Sequence, residues 1–431
     1  MKQLPSIVAV GLMTGALLVV PVSAFATPVP LELVSKTDTV MGAGSSLDAS
    51  ISPDGRYVAF SSYAANLVPG DGNDAYDAFV KDRQTGTIVR ASLAADGGQG
   101  DQAADQPVIS ANGRYVAFYS NSVNLVPGDT NGTRDIFIKD LVTGAISRAS
   151  TAADGTEGDS YSYDPVISAD GRKVAFVSNA GNLVPDDTNG QTDVFVKDLD
   201  TGAISRMSTA SDGAQAADRS HTPSISADGR YVAFVSYAPN LVAGDTNVRT
   251  DVFVKDRQTG EVALVSGQAD GTMADQDSTE PSISADGHHI AFTTSARLTA
   301  ADTNDVPDVF VRDLETGTVA LLSSTPSGAS ADRGSGAAAL SADGHYAAFR
   351  SAATNLVPGD TNDQDDVFRK DLLTGEVVLV SDADDGTQAD GGSASPMITA
   401  DGGIVAFGSS STDLVPGDHN GFSDIFVRTL T

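Results

Sequence analysis

A stretch of the form SADGRYVAF recurs along this chain, and its glycine falls at Gly55, Gly113, Gly171, Gly229, Gly287, Gly344 and Gly402. The interval is 58 residues throughout, except for one of 57 between Gly287 and Gly344. A fixed period of this size marks a repeat architecture, in which one supersecondary unit cannot bury its apolar face alone and stacks on its neighbours. The repeats run through almost all of the 431 residues, so one domain over 27–431 is expected.

One unit resolves into four short extended segments. In the fourth repeat these are Pro223–Ser226, Tyr231–Ser236, Asp251–Asp256 and Glu261–Ser266. Asp228-Gly229 predicts a two-residue hairpin between the first two, because Asp-Gly supplies positive φ angles. Four strands in antiparallel meander make a blade, and seven blades around a channel make an all-β, seven-bladed β-propeller. The last repeat stops after its third segment, Ile425-Phe426-Val427-Arg428, while Leu31-Glu32-Leu33-Val34-Ser35 matches the fourth-segment pattern Val377-Val378-Leu379-Val380-Ser381. Pairing the N-terminal strand into the last blade would close the ring and remove exposed edges. Phenylalanine marks the core: Phe60, Phe118, Phe176, Phe234, Phe292, Phe349 and Phe407 close the second segment, and Phe79, Phe137, Phe195, Phe253, Phe310, Phe368 and Phe426 sit in the third.

Residues 1–26 read as a secretory signal peptide: Lys2, the apolar run Ile7 to Val20, then Ala24-Phe25-Ala26 as a cleavage site with the cut after Ala26. The expected product is an exported, monomeric protein, periplasmic or extracellular, without membrane insertion. The sequence holds no cysteine, which excludes disulfides and thiolate chemistry. Its net charge of −31 argues against nucleic acid as a partner and favours a basic protein or small ligand.

The runs SADGRYVAF, NLVPGDTNG and DVFVKDLDTG resemble the TolB-like, WD-repeat-like propeller repeats of exported bacterial proteins. The resemblance implies a propeller that binds or scaffolds. It differs from TolB itself in having seven repeats rather than six blades, and no N-terminal α/β domain.

Between the second and third segments every repeat carries Asp-x-Asn-x-x-x-Asp. The sets are Asp71, Asn73, Asp77; Asp129, Asn131, Asp135; Asp187, Asn189, Asp193; Asp245, Asn247, Asp251; Asp302, Asn304, Asp308; Asp360, Asn362, Asp366; and Asp418, Asn420, Asp424. This spacing is like the opening of a calcium loop, although the fifth-position carboxylate and the closing glutamate are missing. Calcium binding and an Asx turn that merely holds the loop are both compatible with it. These loops and the acidic links between blades, such as Asp96, Asp101, Asp154 and Asp159, leave the sheet at one end, so one face should be strongly negative. The other should carry Arg56, Arg114, Arg172, Lys173 and Arg230 beside the tight turns.

No serine elbow, phosphate loop or metal-spaced histidine pair is present, and the sequence has no tryptophan. The five histidines, His221, His288, His289, His345 and His419, read as surface residues at turns. A non-catalytic binding propeller is the leading expectation, with a calcium-binding propeller and a hydrolase or lyase using acidic residues at the channel mouth as alternatives. Near-identical blades offer nothing to give two carboxylates different roles. The divergent fifth and sixth repeats, at Arg297–Ala301, His288-His289 and Gly334–Leu340, mark the expected place for any specialised site.

Overall fold

A computed structural model describes residues 30–37 and 40–430; the signal-peptide and cleavage readings lie outside them. Seven four-stranded antiparallel sheets form the described chain. In blade 1 the strands are Ser46–Ile51, Tyr57–Ser62, Asp77–Asp82 and Ile88–Arg90, innermost first. The innermost strands of all seven blades line a central channel. Blade 7 is completed from the other end of the chain: Glu32 and Leu33 pair with Val427 and Phe426. The Val34 amide continues the ladder to Ile425 O at 2.7 Å.

Each blade stacks its two phenylalanines, with centroids 5.9 Å apart for Phe60 and Phe79 and 5.7 Å for Phe407 and Phe426. All fourteen are fully buried. Each contributes roughly 1.5–3 kcal/mol through its burial.

The repeated glycine is needed twice over. At Gly113 φ is +68° and a Cβ would stand 2.2 Å from the Tyr57 ring of the preceding blade. The hairpin is wider than the two-residue turn expected from Asp-Gly. Ser226 N bonds Tyr231 O, and the glycine alone has positive φ while Asp228 accepts the Arg230 amide.

Two further devices tie blade to blade. A buried cation near the end of each third strand reaches carbonyls of the blade before it: Lys139 Nζ to Leu93 O at 2.7 Å, Lys197 to Thr151 O at 2.9 Å, and Lys81 to Val34 O at 3.2 Å across the ring closure. At the tight-turn end, amides bond the next turn around the channel, as from Ala111 to Ala169 O and from Ala169 to Ala227 O. That circuit ends at Pro53, which accepts from Ala400 but has no N–H to donate onward.

Two strand boundaries differ from expectation. The innermost strand of blade 4 spans Ser220–Ile225 rather than beginning at Pro223. A bulge between His221 and Ser224 breaks the alternation that would have revealed it. The outer strand is only Val262–Leu264, because the chain then turns into a link closed by the Gly267–Met273 bridge.

Candidate functional site

The bulge recurs in the innermost strand of every blade. Its first residue is Asp48, Gln106, Asp164, Thr222, Glu280, Ala337 or Ser395, each with φ between 48° and 55°. None is glycine, so each holds a sparsely populated backbone conformation that costs on the order of 1 kcal/mol or more. All seven line the channel where it opens on the loop face.

This is where the repeat stops repeating. The residue before the bulge is Leu47, Asp105, Tyr163, His221, Thr279, Gly336 or Ala394, and its cross-strand partner is Ser61, Tyr119, Val177, Val235, Thr293, Arg350 or Gly408. Tyrosine shows the same bias. Of the ten in the chain, Tyr57, Tyr115, Tyr231 and Tyr346 belong to the repeated turn, and the other six all stand at the loop face of blades 1–4. Tyr63 packs on Tyr76 at 5.5 Å, Tyr161 on Tyr163 at 5.9 Å, and His221 on Tyr237 at 6.1 Å. The rings of Tyr63, Tyr161 and Tyr237 remain exposed.

Charge gathers on the same side. Burial, reinforced by the Asp48 charge, pushes the Asp105 carboxyl up to about 6 against the pull of Arg134. Asp48 faces channel water, yet the surrounding walls raise its carboxyl as well, opposed by the Gln106 backbone and Ser61. Asp164 is raised by burial and relieved by the Gln106 side chain. The Arg134 guanidinium lies 4.4 Å from the Tyr119 centroid and that of Arg219 4.1 Å from Tyr237. His221, half-buried here rather than at a surface turn, is held below its usual range by burial and by Arg219. In blades 6 and 7 the residues at this level are small, Gly336, Ala337, Ala394, Ser395 and Gly408, and Glu280 crosses from blade 5 to accept the Ala337 amide at 2.7 Å beside Arg350.

The blades are therefore not equivalent at the mouth, contrary to the expectation from their sequences: the tyrosines stand on blades 1–4, while blades 5 and 6 contribute Glu280 and Arg350. The fifth repeat's divergence has structural consequences: His289 packs on Gly344 where four other blades place a tyrosine, and Arg297 holds its own loop through Asn304 O at 2.8 Å. Sequence reading missed Asp48, Asp105, Tyr119, Arg134, Tyr163, Asp164, Arg219, His221 and Tyr237 as a group. The available signal was tyrosine outside the repeated Arg-Tyr position.

The Asp-x-Asn loops lie around this face and have one shared geometry. The asparagine carbonyl accepts an amide two residues on, as Asn131 does from Thr133, and its Nδ2 donates to the link into the next blade, Asn131 to Gly158 O at 2.9 Å. The same two bonds are made by Asn73, Asn189, Asn247, Asn304 and Asn362, and by Asn420 onto Gly42 O. The strand-opening aspartates, Asp77, Asp135, Asp193, Asp251, Asp308, Asp366 and Asp424, are buried, and each accepts a serine hydroxyl from the outer strand's end. The loop-opening aspartates, Asp71, Asp129, Asp187, Asp245, Asp302, Asp360 and Asp418, stand beside them; burial raises the carboxyl of each. Among the described residues, no group of three or more His, Asp or Glu is gathered to hold a metal.

The opposite face is less basic than its sequence suggests. Arg56, Arg114 and Arg230 grip Asp82, Asp140 and Asp256 through two nitrogens each, and Arg172 pairs with Asp200. Among the described residues no helix is long and apolar enough to cross a membrane.

No family model and no curated protein matches the chain. Solved structures do. An oligogalacturonate lyase in complex with manganese is 14% identical, over 94% of this chain and 97% of that one, with TM-score 0.56. The β-propeller domain of the Trilobed protease from Pyrococcus furiosus, which has an open velcro topology, is 14% identical over 90% and 94%, with TM-score 0.54. TolB from Acinetobacter baumannii is 17% identical over 82% and 77%, with TM-score 0.40. At these identities the likeness to the first two shows the β-propeller fold alone.

Proposed function

We propose that this is an exported, non-catalytic binding propeller whose partner, a basic peptide or protein segment, seats at the loop-face mouth of the channel against blades 1–4. One observation carries the reading: chemistry varies from blade to blade at the mouth, while the turns, core and inter-blade ties repeat. Ring geometry explains the repeated positions; it gives no reason for all six tyrosines outside the repeated turn to fall on blades 1–4. Asp48, Asp105 and Asp164 pay desolvation together, and a cationic group among them would relieve it. The exposed rings of Tyr63, Tyr161 and Tyr237 supply apolar and cation-π contact.

The hydrolase or lyase reading needs two titratable groups driven in opposite directions. Here burial raises the carboxyls of Asp48, Asp105 and Asp164 alike, so no carboxylate pair is divided into acid and nucleophile, and His221 is lowered by burial and by Arg219.

Fluorescence anisotropy with a labelled lysine-rich peptide tests the proposal. Asp105→Asn/Asp164→Asn is expected to weaken binding at least about tenfold, and Asp96→Asn/Asp154→Asn, on the outer links, by less than about twofold, since exposed charges act weakly. Equal losses would reduce the effect to general acidity and overturn a specific mouth site.

A further inference from the structure

The paired aspartates of the Asp-x-Asn loops occur in two electrostatic settings. In blades 1–3 the outer strand ends in Arg90, Arg148 and Arg206, paired with Phe79, Phe137 and Phe195. Arg90 Nη1 lies 3.1 Å from Asp71 and 3.2 Å from Asp77. Arg148 Nη1 lies 3.1 Å from Asp129 and 3.2 Å from Asp135, and Arg206 Nη1 lies 2.9 Å from Asp187 and 3.3 Å from Asp193. Arg90 Nη2 also reaches Gly70 O at 3.2 Å. One positive charge is thus surrounded by two carboxylates and a backbone carbonyl.

In blades 4–7 the register is unchanged, but Leu264, Leu321, Leu379 and Leu33 pair with Phe253, Phe310, Phe368 and Phe426. The arginine is gone and both aspartates stay. In blade 5, Asp302 and Asp308 are 4% and 0% exposed, and Oδ2 of each has no hydrogen-bond partner. In blade 7, Asp418 is 1% exposed and its Oδ2 is likewise without a partner, beside the buried charge of Asp424. Two buried carboxylates without a counter-charge are strongly unfavourable. Their unpartnered oxygens are hard donors of the kind that suit a divalent cation.

We propose that blades 5 and 7 each bind a divalent cation, calcium in preference to magnesium, at the point where blades 1–3 place a guanidinium. The ligands are Asp302 with Asp308, and Asp418 with Asp424. The carbonyls of Ala301 and Gly417, equivalent to Gly70, and water complete an all-oxygen set, which suits a cation tolerant of irregular geometry. In blade 7 the asparagine positions the pair: Asn420 donates Nδ2 to Oδ2 of Asp424 at 2.8 Å. Blades 4 and 6 differ in leaving no buried oxygen of the pair unpartnered: Asp251 and Asp366 accept hydrogen bonds at both oxygens and Asp360 accepts from Gln388. Arginine and metal are then alternative solutions to one problem within one chain.

Equilibrium dialysis of the full-length mature chain against calcium, with metal analysis of the protein, tests this. Two calcium ions per chain are expected, with a thermal midpoint that rises with calcium and falls with chelator. Leu321→Arg should lower the count to one and reduce the effect of chelator on the midpoint; Asp302→Asn/Asp308→Asn should also give one. No bound calcium would overturn the proposal and leave the paired carboxylates to share a proton. Seven ions, or two in the Leu321→Arg protein, would overturn the exchange of arginine for metal.

Discussion

At Gly113 the positive φ and the 2.2 Å approach of a would-be Cβ to Tyr57 act together. Gly113→Ala is therefore expected to destabilise by on the order of 1–3 kcal/mol, read as a lowered thermal midpoint, whereas alanine at Gly155, which meets nothing within 4 Å, bears only the backbone cost. Asp105 gives a change of opposite sign. Its carboxyl, raised from 3.8 to about 6, disfavours folding by an amount absent below about pH 3.8, growing up to pH 6 and complete above it. Asp105→Asn should raise stability at pH 7.5 by about 1 kcal/mol, allowing for the screening of a partly exposed group, with no gain at pH 3.5, while weakening the peptide. A variant more stable yet poorer at binding marks a residue kept for function. Gly113 was legible from the repeat because ring geometry demands it in every blade. Asp105 was not, because its environment is set by burial and then by Asp48 of the neighbouring blade and Arg134 of its own, far apart in sequence.

Among the elements, the closing strand carries most weight for its length. Leu33 and Val34 are buried, Ser35 Oγ donates to Asp424 at 2.5 Å, and the carbonyls of Val34 and Lys36 receive buried Lys81. Deleting residues 30–36 should lower the midpoint sharply, since it removes the buried Leu31, Leu33 and Val34 from the core and the ladder to Val427 and Phe426. It also bares the edge of blade 7, so size-exclusion chromatography should show dimers or larger species, reversed by adding a peptide of residues 30–37. A monomer of unchanged stability would refute closure by this strand. Its role was readable because Leu31–Ser35 copies the pattern of Val377–Ser381. The bulge in the innermost strand was hidden: an extra residue at Thr222 breaks the period of two, and Pro223 looks like a strand's beginning instead of its middle.

For the whole molecule, seven-fold repetition fixes a rigid ring, and function is left to departures from it. The net charge of −31 attracts basic partners generally, and such attraction fades within a Debye length of roughly 8 Å at physiological salt. Mouth recognition should persist at an ionic strength that abolishes general attraction, because it includes ring contacts and recessed carboxylates. This division can be measured by photo-cross-linking a lysine-rich peptide to the mature protein at 0.15 M salt and mapping adducts by mass spectrometry. Adducts are predicted at Tyr63, Tyr119, Tyr161, Tyr163 and Tyr237 and within residues 104–106 and 219–222. Adducts spread over the outer links of all seven blades, or concentrated at the tight-turn face, would contradict it.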